Sequence, residues 1–159
     1  MDSVTRKQLL ESFGAAPGQL KSALNKIDPK IWPLAPDIQE WSIRQIIFHL
    51  TDSEANYYVR FRKAIAESGG IVVGFDQNLW TDTLDFAGRS TDESVELFRL
   101  LRTSSYHLLT QLPETAWANF VQHSERGKLT LENLLSVAEN HITDHLKQIE
   151  ANVKKFNSR

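Results

Sequence analysis

In LENLLSVAENHITDHLKQIEANV, residues 131–153, apolar side chains recur at intervals of three and four positions. That spacing is typical of one face of an α-helix turned toward a protein core. Two histidines, His141 and His145, lie within the same apolar stripe and are separated by one helical turn. The segment therefore predicts a long helix near the C-terminus that carries two imidazoles on its inward face.

These two histidines suggest a transition-metal site. Side chains at positions i and i+4 of a helix lie one above the other, so His141 and His145 can direct ring nitrogens to one point. The alternative is that each is a hydrogen-bonded core residue, because a metal ion needs more than two ligands. A third ligand has to come from elsewhere in the chain.

Length and charge limit the classes of protein to consider. The 159 residues are enough for one domain with a core, and we predict a single domain over residues 1–159. Hydrophobic residues make up 41% and charged residues 24%, as in ordinary globular proteins. The net charge is -2, whereas binding to duplex phosphates normally needs a basic excess. We therefore expect no nucleic-acid partner.

Cysteine content and apolar runs exclude further classes. The chain has no cysteine, which rules out disulfides, thiolate metal ligands and a cysteine nucleophile. Residues 1–13 contain no continuous apolar segment, so they do not read as a signal peptide. No apolar run approaches the roughly 20 residues that span a bilayer. We expect a cytoplasmic protein without a membrane partner.

Three further helices are predicted. The apolar stripe of residues 3–27 stays in phase through Pro17, which indicates one helix kinked at the proline or two shorter helices. Ser42 and Gln45 form the S-x-x-Q capping box of a second helix, which ends before Gly69. A third helix covers residues 90–111, where Ser90 and Glu93 make another such box.

The connectors are long and uneven. Residues 71–89 are the least regular part, with a short extended piece at the start and a short helix within residues 76–86. A connection of this length is often functional. In the connector 114–128, residues 117–123 are compatible with a short strand or hairpin arm that pairs across the turn at Gly127.

Four long amphipathic helices bury their apolar faces most simply as a bundle. We therefore predict an all-α fold, a four-helix bundle with long connectors after the second and third helices. The length of the connectors argues against plain up-down-up-down wiring, because it permits a crossover.

His49, on the second helix, is the candidate third ligand. In a bundle, sites are built from inward side chains of facing helices, so His49 could converge with His141 and His145. Three neutral imidazoles hold Zn, Ni, Fe(II), Mn or Co and leave positions open for water or substrate, as in catalytic sites. Of the other histidines, His107 reads as a surface or packing residue. His123 lies in a polar loop and is expected to be solvated or at the rim of the site.

Two segments resemble a known family. EWSIRQIIFHLTDSE, residues 40–54, resembles the second-helix signature of the DinB-like superfamily, which includes the YfiT-like proteins. HSERGKLTLENLLSVAENHITDHLKQI, residues 123–149, resembles the closing segment of that family, with its H-x-x-x-H-x-x-Q-I pattern. The order and spacing of the two motifs extend the resemblance over nearly the whole chain.

The resemblance implies up-down-down-up wiring and a three-histidine metal site at His49, His141 and His145. It implies a divalent metal, most often Ni or Zn, and frequently a homodimer. Characterised members of the family include S-transferases and isomerases that use low-molecular-weight thiols, and others carry only the provisional name of metal-dependent hydrolase. A small-molecule substrate, including a low-molecular-weight thiol, is therefore the expected partner. The family resemblance does not imply DNA binding.

Five further residues are candidates for the site. Asp52 and Asp144 each follow a histidine by three positions and are candidates to orient an imidazole through its other ring nitrogen. Glu54 is a candidate proton acceptor. The alternative for all three is a solvated helix carboxylate. Tyr57 and Trp80 are candidates to line a substrate pocket, and their alternative is ordinary core packing.

The leading hypothesis is a metal-dependent enzyme, either a thiol-dependent S-transferase or a hydrolase. A bound cation would lower the pKa of water or of a substrate thiol. A non-enzymatic bundle that uses the metal to bind a small ligand is the second hypothesis. A helical dimerisation protein without metal is the third.

Overall fold

The computed structural model describes residues 1–158. Within them the elements in chain order are helix α1 (Ser3–Leu24), helix α2 (Ile43–Ala66), strand β1 (Ile71–Val72), helix α3 (Gln77–Leu84), helix α4 (Thr91–Thr110), strand β2 (Phe120–His123), strand β3 (Gly127–Thr130) and helix α5 (Leu131–Asn157). Short 3-10 helices cover Pro29–Ile31 and Glu114–Ala118. The predicted short strand, hairpin and short helix in the connectors are all present, but β2 begins at Phe120 rather than at residue 117, because residues 117 and 118 belong to the second 3-10 helix.

Side-chain caps set where the helices begin. Ser42 accepts a hydrogen bond from the Gln45 backbone amide, and the Gln45 side chain accepts one from the Ser42 amide, so the predicted reciprocal capping box of α2 is confirmed. At α4, Ser90 accepts from the Glu93 amide, but among the described residues the Ser90 amide does not donate to the Glu93 side chain in return. The box predicted there is therefore only half formed.

Pro17 does not divide the first helix. α1 runs continuously from Ser3 to Leu24 with Pro17 inside it, so the single-helix alternative is correct. It ends three residues before the predicted Ile27, which packs at the edge of the core instead.

The four long helices α1, α2, α4 and α5 form a four-helix bundle, as predicted. Each of α1 and α2 packs against both α4 and α5, which places α1 and α2 on a diagonal. In a parallel pair of helices, the residue numbers of successive hydrogen-bonded partners rise in both helices. This holds for α1 and α5, through Arg6–Glu132 and Ser12–Glu139. It also holds for α2 and α4, through Thr51–Ser94 and Arg62–Ser104. Antiparallel neighbours show the reverse order: Trp41–Asn152 and His49–His141 for α2 and α5. The wiring is therefore up-down-down-up.

A small three-stranded sheet is built from the connectors. β2 lies in the middle, parallel to β1 and antiparallel to β3. The β2–β3 turn ends at Gly127, whose φ of 68° lies in the left-handed region that glycine adopts without strain. The sheet fixes both connectors, and its hairpin places residues 123–126 beside α2 and α5.

A buried ion pair interrupts the apolar interior. Arg102 of α4 and Glu54 of α2 are each about 1% exposed, and Arg102 Nη2 lies 2.6 Å from Glu54 Oε2. The guanidinium also lies 4.0 Å from the centre of the Phe13 ring on α1. The pair therefore joins three helices of the bundle.

Across residues 1–158, no helix combines the length and the apolar character that crossing a bilayer requires.

Candidate metal centre

Three histidines from two antiparallel helices meet inside the bundle. His49 of α2 is buried, and His141 and His145 of α5 are half-buried. His49 Nε2 lies 2.9 Å from His141 Nε2, and His145 Nε2 lies 3.2 Å from the same atom. One ligand nitrogen from each of the three residues lies within 4.8 Å of the other two.

These separations fit a shared metal ion. With metal–nitrogen bonds of 2.0–2.1 Å, two imidazole nitrogens on one ion are about 2.9 to 3.4 Å apart for bond angles between 90° and 109°. The two measured separations, 2.9 and 3.2 Å, lie in that range. His141 Nε2 faces two other ring nitrogens at once, and its one hydrogen or one lone pair can be well aligned with only one of them. A cation between the lone pairs resolves this conflict.

Burial keeps the three imidazoles neutral. Desolvation, together with the charge of neighbouring His145, lowers the pKa of His49 to about 3 and that of His141 to about 2. The pKa of His145 is also lowered by burial, although the hydrogen bond with Gln148 opposes this. A neutral imidazole is the form that binds metal, so the cluster is ready to coordinate at neutral pH.

Aromatic rings surround the cluster. The Trp41 ring, just before the cap of α2, stacks on His145 with centroids 6.1 Å apart and planes inclined by 15°. It also contacts His49 at 4.8 Å. Phe75 lies 6.3 Å from the His49 ring, and Tyr57 lies 6.1 Å from the His141 ring. These contacts hold the planes of the imidazole rings.

The residue that orients His145 is Gln148. Its Oε1 lies 2.8 Å from His145 Nδ1, which makes Nδ1 the donor and leaves Nε2 free to coordinate. Asp144, predicted for this kind of role, instead pairs with Lys147 on the exposed side of α5. Within residues 1–158, the structure gives Asp144 no hydrogen bond to an imidazole.

Two other predicted carboxylates are paired elsewhere. Asp52 accepts from Arg89 Nη2 at 2.7 Å, which ties α2 to the segment before α4. Glu54 is buried against Arg102 and does not line either cavity at the histidines. Burial raises the pKa of Glu54, and the Arg102 guanidinium opposes that rise. Their predicted roles at the site remain predictions without a direct contact to support them.

The histidines lie between two cavities. The smaller, of about 100 Å³, has His49 and His141 in its wall and is completed by Ser53, Tyr57, Arg60, Gly74, Phe75, Gln77, His123, Glu125 and Arg126. The larger, of about 450 Å³, has His141 and His145 in its wall and is completed by Gln39, Glu40, Trp41, Gln77, Asn78, Asp144 and Gln148. Both faces of the cluster are thus accessible to small molecules.

A still larger groove lies away from the histidines. It has a volume of about 780 Å³ and runs between α1 and α5, lined by residues such as Gly18, Ala23 and Ile149. None of the three histidines lines it, so it does not belong to the candidate metal centre.

The predicted pocket residues take different positions. Tyr57 lines the smaller cavity. Trp80 lines neither cavity. It packs on Phe75, which lines the smaller cavity, with ring centroids 4.6 Å apart. His123 is 4% exposed and lines the smaller cavity, so the solvated alternative is wrong and the alternative of a residue that approaches the site is correct. β2, which carries it, turns the side chain inward. His107 is exposed on α4, as expected.

Several site residues were not anticipated. Arg60 was detectable, because His49, Ser53, Tyr57 and Arg60 follow one another at spacings of four, four and three along one face of α2. Gln148 was detectable as a polar residue one turn beyond His145. Arg126 reaches the cavity only through the fold of the hairpin, and nothing in its local sequence indicates this.

The chain matches a known family and proteins of that family. Residues 12–149 match the profile of the DinB superfamily. A protein of Oceanobacillus iheyensis is 28% identical over 115 residues, covering 72% of this chain and 66% of its own. A Bacillus cereus protein is 24% identical over 141 residues, covering 89% and 81%. YfiT of Bacillus subtilis is 27% identical over 110 residues, covering 69% and 62%. All three carry the provisional name of metal-dependent hydrolase.

Solved structures show the same fold. The YfiT structure from Bacillus subtilis, described as a four-helix bundle of unusual topology, superposes with a TM-score of 0.90 at 22% identity, covering 99% of this chain and 90% of that chain. A DinB-like protein of the same organism superposes with a TM-score of 0.63 at 15% identity, covering 94% and 92%. The matched segments amount to slightly less than two thirds of the Oceanobacillus protein and of YfiT.

Proposed function

Because this chain belongs to the DinB superfamily, we propose that it is a metal-dependent enzyme that acts on a small molecule. One observation carries the proposal: ring nitrogens of His49, His141 and His145 converge at separations that suit one divalent ion. Three protein ligands with open space on both sides correspond to a catalytic rather than a closed structural site.

The chemistry follows from this arrangement. A divalent ion bound there would supply Lewis acidity, which lowers the pKa of a water molecule or a thiol and polarises a substrate carbonyl. The three imidazoles would hold the ion, and Gln148 would fix the tautomer of His145. Trp41 and Phe75 would exclude bulk water from the imidazole faces.

Two reactions use such a site. Hydrolysis is the first candidate, because the relatives carry that provisional name. Transfer of a low-molecular-weight thiol is the second, because the sequence motifs resemble a family that includes thiol-dependent S-transferases. The cavity of about 450 Å³ beside His145 has room for such a thiol. We also propose Ni or Zn as the metal, with Fe, Mn and Co as alternatives, and a homodimer as the assembly.

The test begins with metal content. Full-length protein without a polyhistidine tag should bind about one divalent ion per chain, measured by elemental analysis after loading with Ni or Zn and desalting. His49→Ala should lower the bound metal to near zero, because only His141 and His145, one turn apart on α5, would remain as ligands, and a metal ion needs more than two. His107→Ala is the matched control and should retain the full metal content, since His107 is exposed on α4.

Turnover separates the candidate reactions. The metal-loaded protein is assayed on ester and amide substrates with and without a low-molecular-weight thiol. Hydrolysis without thiol supports the first reaction, and product formation only with thiol supports the second. Metal bound without any metal-dependent turnover over the panel would instead favour a binding protein. No metal bound by the unmodified chain would overturn the proposal. Sedimentation velocity tests the homodimer.

A further inference from the structure

The smaller cavity beside the histidines carries an excess of positive charge. Two guanidinium groups line it, Arg60 from α2 and Arg126 from the β2–β3 turn, while Glu125 is the one carboxylate in its wall. A divalent ion on His49 and His141 would add to this charge. With a volume of about 100 Å³, the cavity has room for one functional group rather than a whole substrate.

Arg60 is held at the cavity rather than extended into solvent. It is half-buried, and its Nη2 donates to the Val73 carbonyl at 2.9 Å. Its guanidinium lies 5.7 Å from the centre of the Tyr57 ring. Desolvation lowers the pKa of Arg60, but a guanidinium remains charged in proteins. A partly desolvated cation with one protein acceptor has donors to spare for an anion.

Two neutral donors complete the wall. His123 Nδ1 accepts a hydrogen bond from the Glu125 backbone amide at 3.2 Å, so the proton of the neutral ring is on Nε2. Burial lowers the pKa of His123, which favours this neutral form. The phenol of Tyr57 is a second neutral donor in the wall. The cavity therefore combines two charged donors with neutral ones, among them His123 and Tyr57.

We propose that this cavity binds a carboxylate of the substrate, with Arg60 and Arg126 as its charged partners, while the scissile or transferred group lies at the three histidines. Apart from the metal ion, whose charge would be met by the reacting group bound to it, two guanidinium groups and one carboxylate leave a net charge of about one, which matches a monoanion better than a phosphate dianion. The larger cavity, which shares His141 and Gln77 with the smaller one, takes the rest of the molecule. This inference rests on the proposed function, because it assumes a metal at the histidines.

The test uses a probe with a metal-binding group. The monohydroxamate of succinic acid carries a hydroxamate for the metal and a carboxylate for the cavity, and its primary amide is the uncharged counterpart. Their dissociation constants are measured by calorimetry on the metal-loaded full chain. We expect the acid to bind at least tenfold more tightly than the amide. Arg60→Gln and Arg126→Gln should each reduce this preference about tenfold, with metal content unchanged.

Arg62→Gln is the matched control, because Arg62 lies on α2 but stacks on Tyr58 and donates to Ser104 away from the cavity. It should keep the full preference for the acid. Arg126 is exposed in a turn, so its variant tests the proposal even if Arg60→Gln folds poorly.

The outcomes separate this inference from the proposed function. Equal binding of acid and amide to the metal-loaded chain would overturn the carboxylate site and leave the metal centre intact. Tighter binding of the matching phosphonate than of the acid would overturn the choice of a carboxylate. A chain that binds neither metal nor hydroxamate would overturn both proposals.

Discussion

At the scale of single residues, the orientation of His145 depends on an amide rather than a carboxylate. Gln148 lies three positions after His145 on α5 and contacts its Nδ1 at 2.8 Å. An uncharged partner fixes the tautomer without adding negative charge, so a metal on the imidazoles would keep most of its Lewis acidity. Asp144, one position before His145, points to Lys147 and solvent.

We predict that Gln148→Ala weakens metal binding by about 10- to 100-fold, because His145 loses the partner that fixes its ring. The dissociation constant is measured by competition with a chromogenic chelator. Asp144→Asn is the control and should change the affinity less than about threefold. A larger effect of Asp144→Asn than of Gln148→Ala would show that the carboxylate, and not the amide, orients the site.

At the scale of one element, α1 shows how a helix face is fitted to its neighbour. A Cβ at Gly14 would lie 2.8 Å from two carbons of the Tyr106 ring on α4, whereas a Cβ at Gly18 would meet nothing within 4 Å. Gly14 therefore permits the close approach of α1 and α4. Gly18 is exposed, and its flexibility only lowers the stability of the helix.

We predict opposite effects for two alanine substitutions on α1. Gly18→Ala should raise the free energy of unfolding by about 0.5–1 kcal/mol, through the higher helix propensity of alanine. Gly14→Ala should lower it by about 1–3 kcal/mol, because the methyl group forces the Tyr106 ring aside. Urea denaturation of both variants provides the measurement. Equal stabilisation by both would contradict the close packing of α1 on α4.

At the scale of the whole molecule, a buried ion pair links three helices. Glu54 and Arg102 join α2 to α4, and the guanidinium lies on the Phe13 ring of α1. Their bonding is incomplete, because Glu54 Oε1 and two nitrogens of Arg102 have no hydrogen-bond partner among the described residues. The desolvation of two charges is therefore only partly offset.

We predict that Glu54→Leu lowers the free energy of unfolding by about 3–5 kcal/mol, because it leaves Arg102 charged and unpaired in the core. Adding Arg102→Met should restore most of the lost stability, as measured by urea denaturation at constant pH.

The double variant also tests Glu54 as a proton acceptor. Full metal-dependent turnover in the refolded double variant would exclude that role, and loss of turnover with intact metal content would support it.

Much of the architecture was predictable, because its causes are local. The period of the apolar positions, the Ser42 cap and the break at Gly69 act within one or two helical turns. They define the four long helices before any tertiary contact forms. The histidines of α5 were also predictable as a pair, since four positions on a helix bring two side chains to the same face.

The helices, the bundle and the three inward-facing histidines, His49, His141 and His145, could be predicted from the sequence. Four features depend on tertiary packing: His123 is buried, Arg126 reaches the cavity beside the histidines, Glu54 is paired with Arg102, and Gln148 rather than Asp144 holds His145. The physical reason is that helix periodicity is a short-range property. The partner of a polar side chain depends on which distant segment packs against it and on the rotation of both helices.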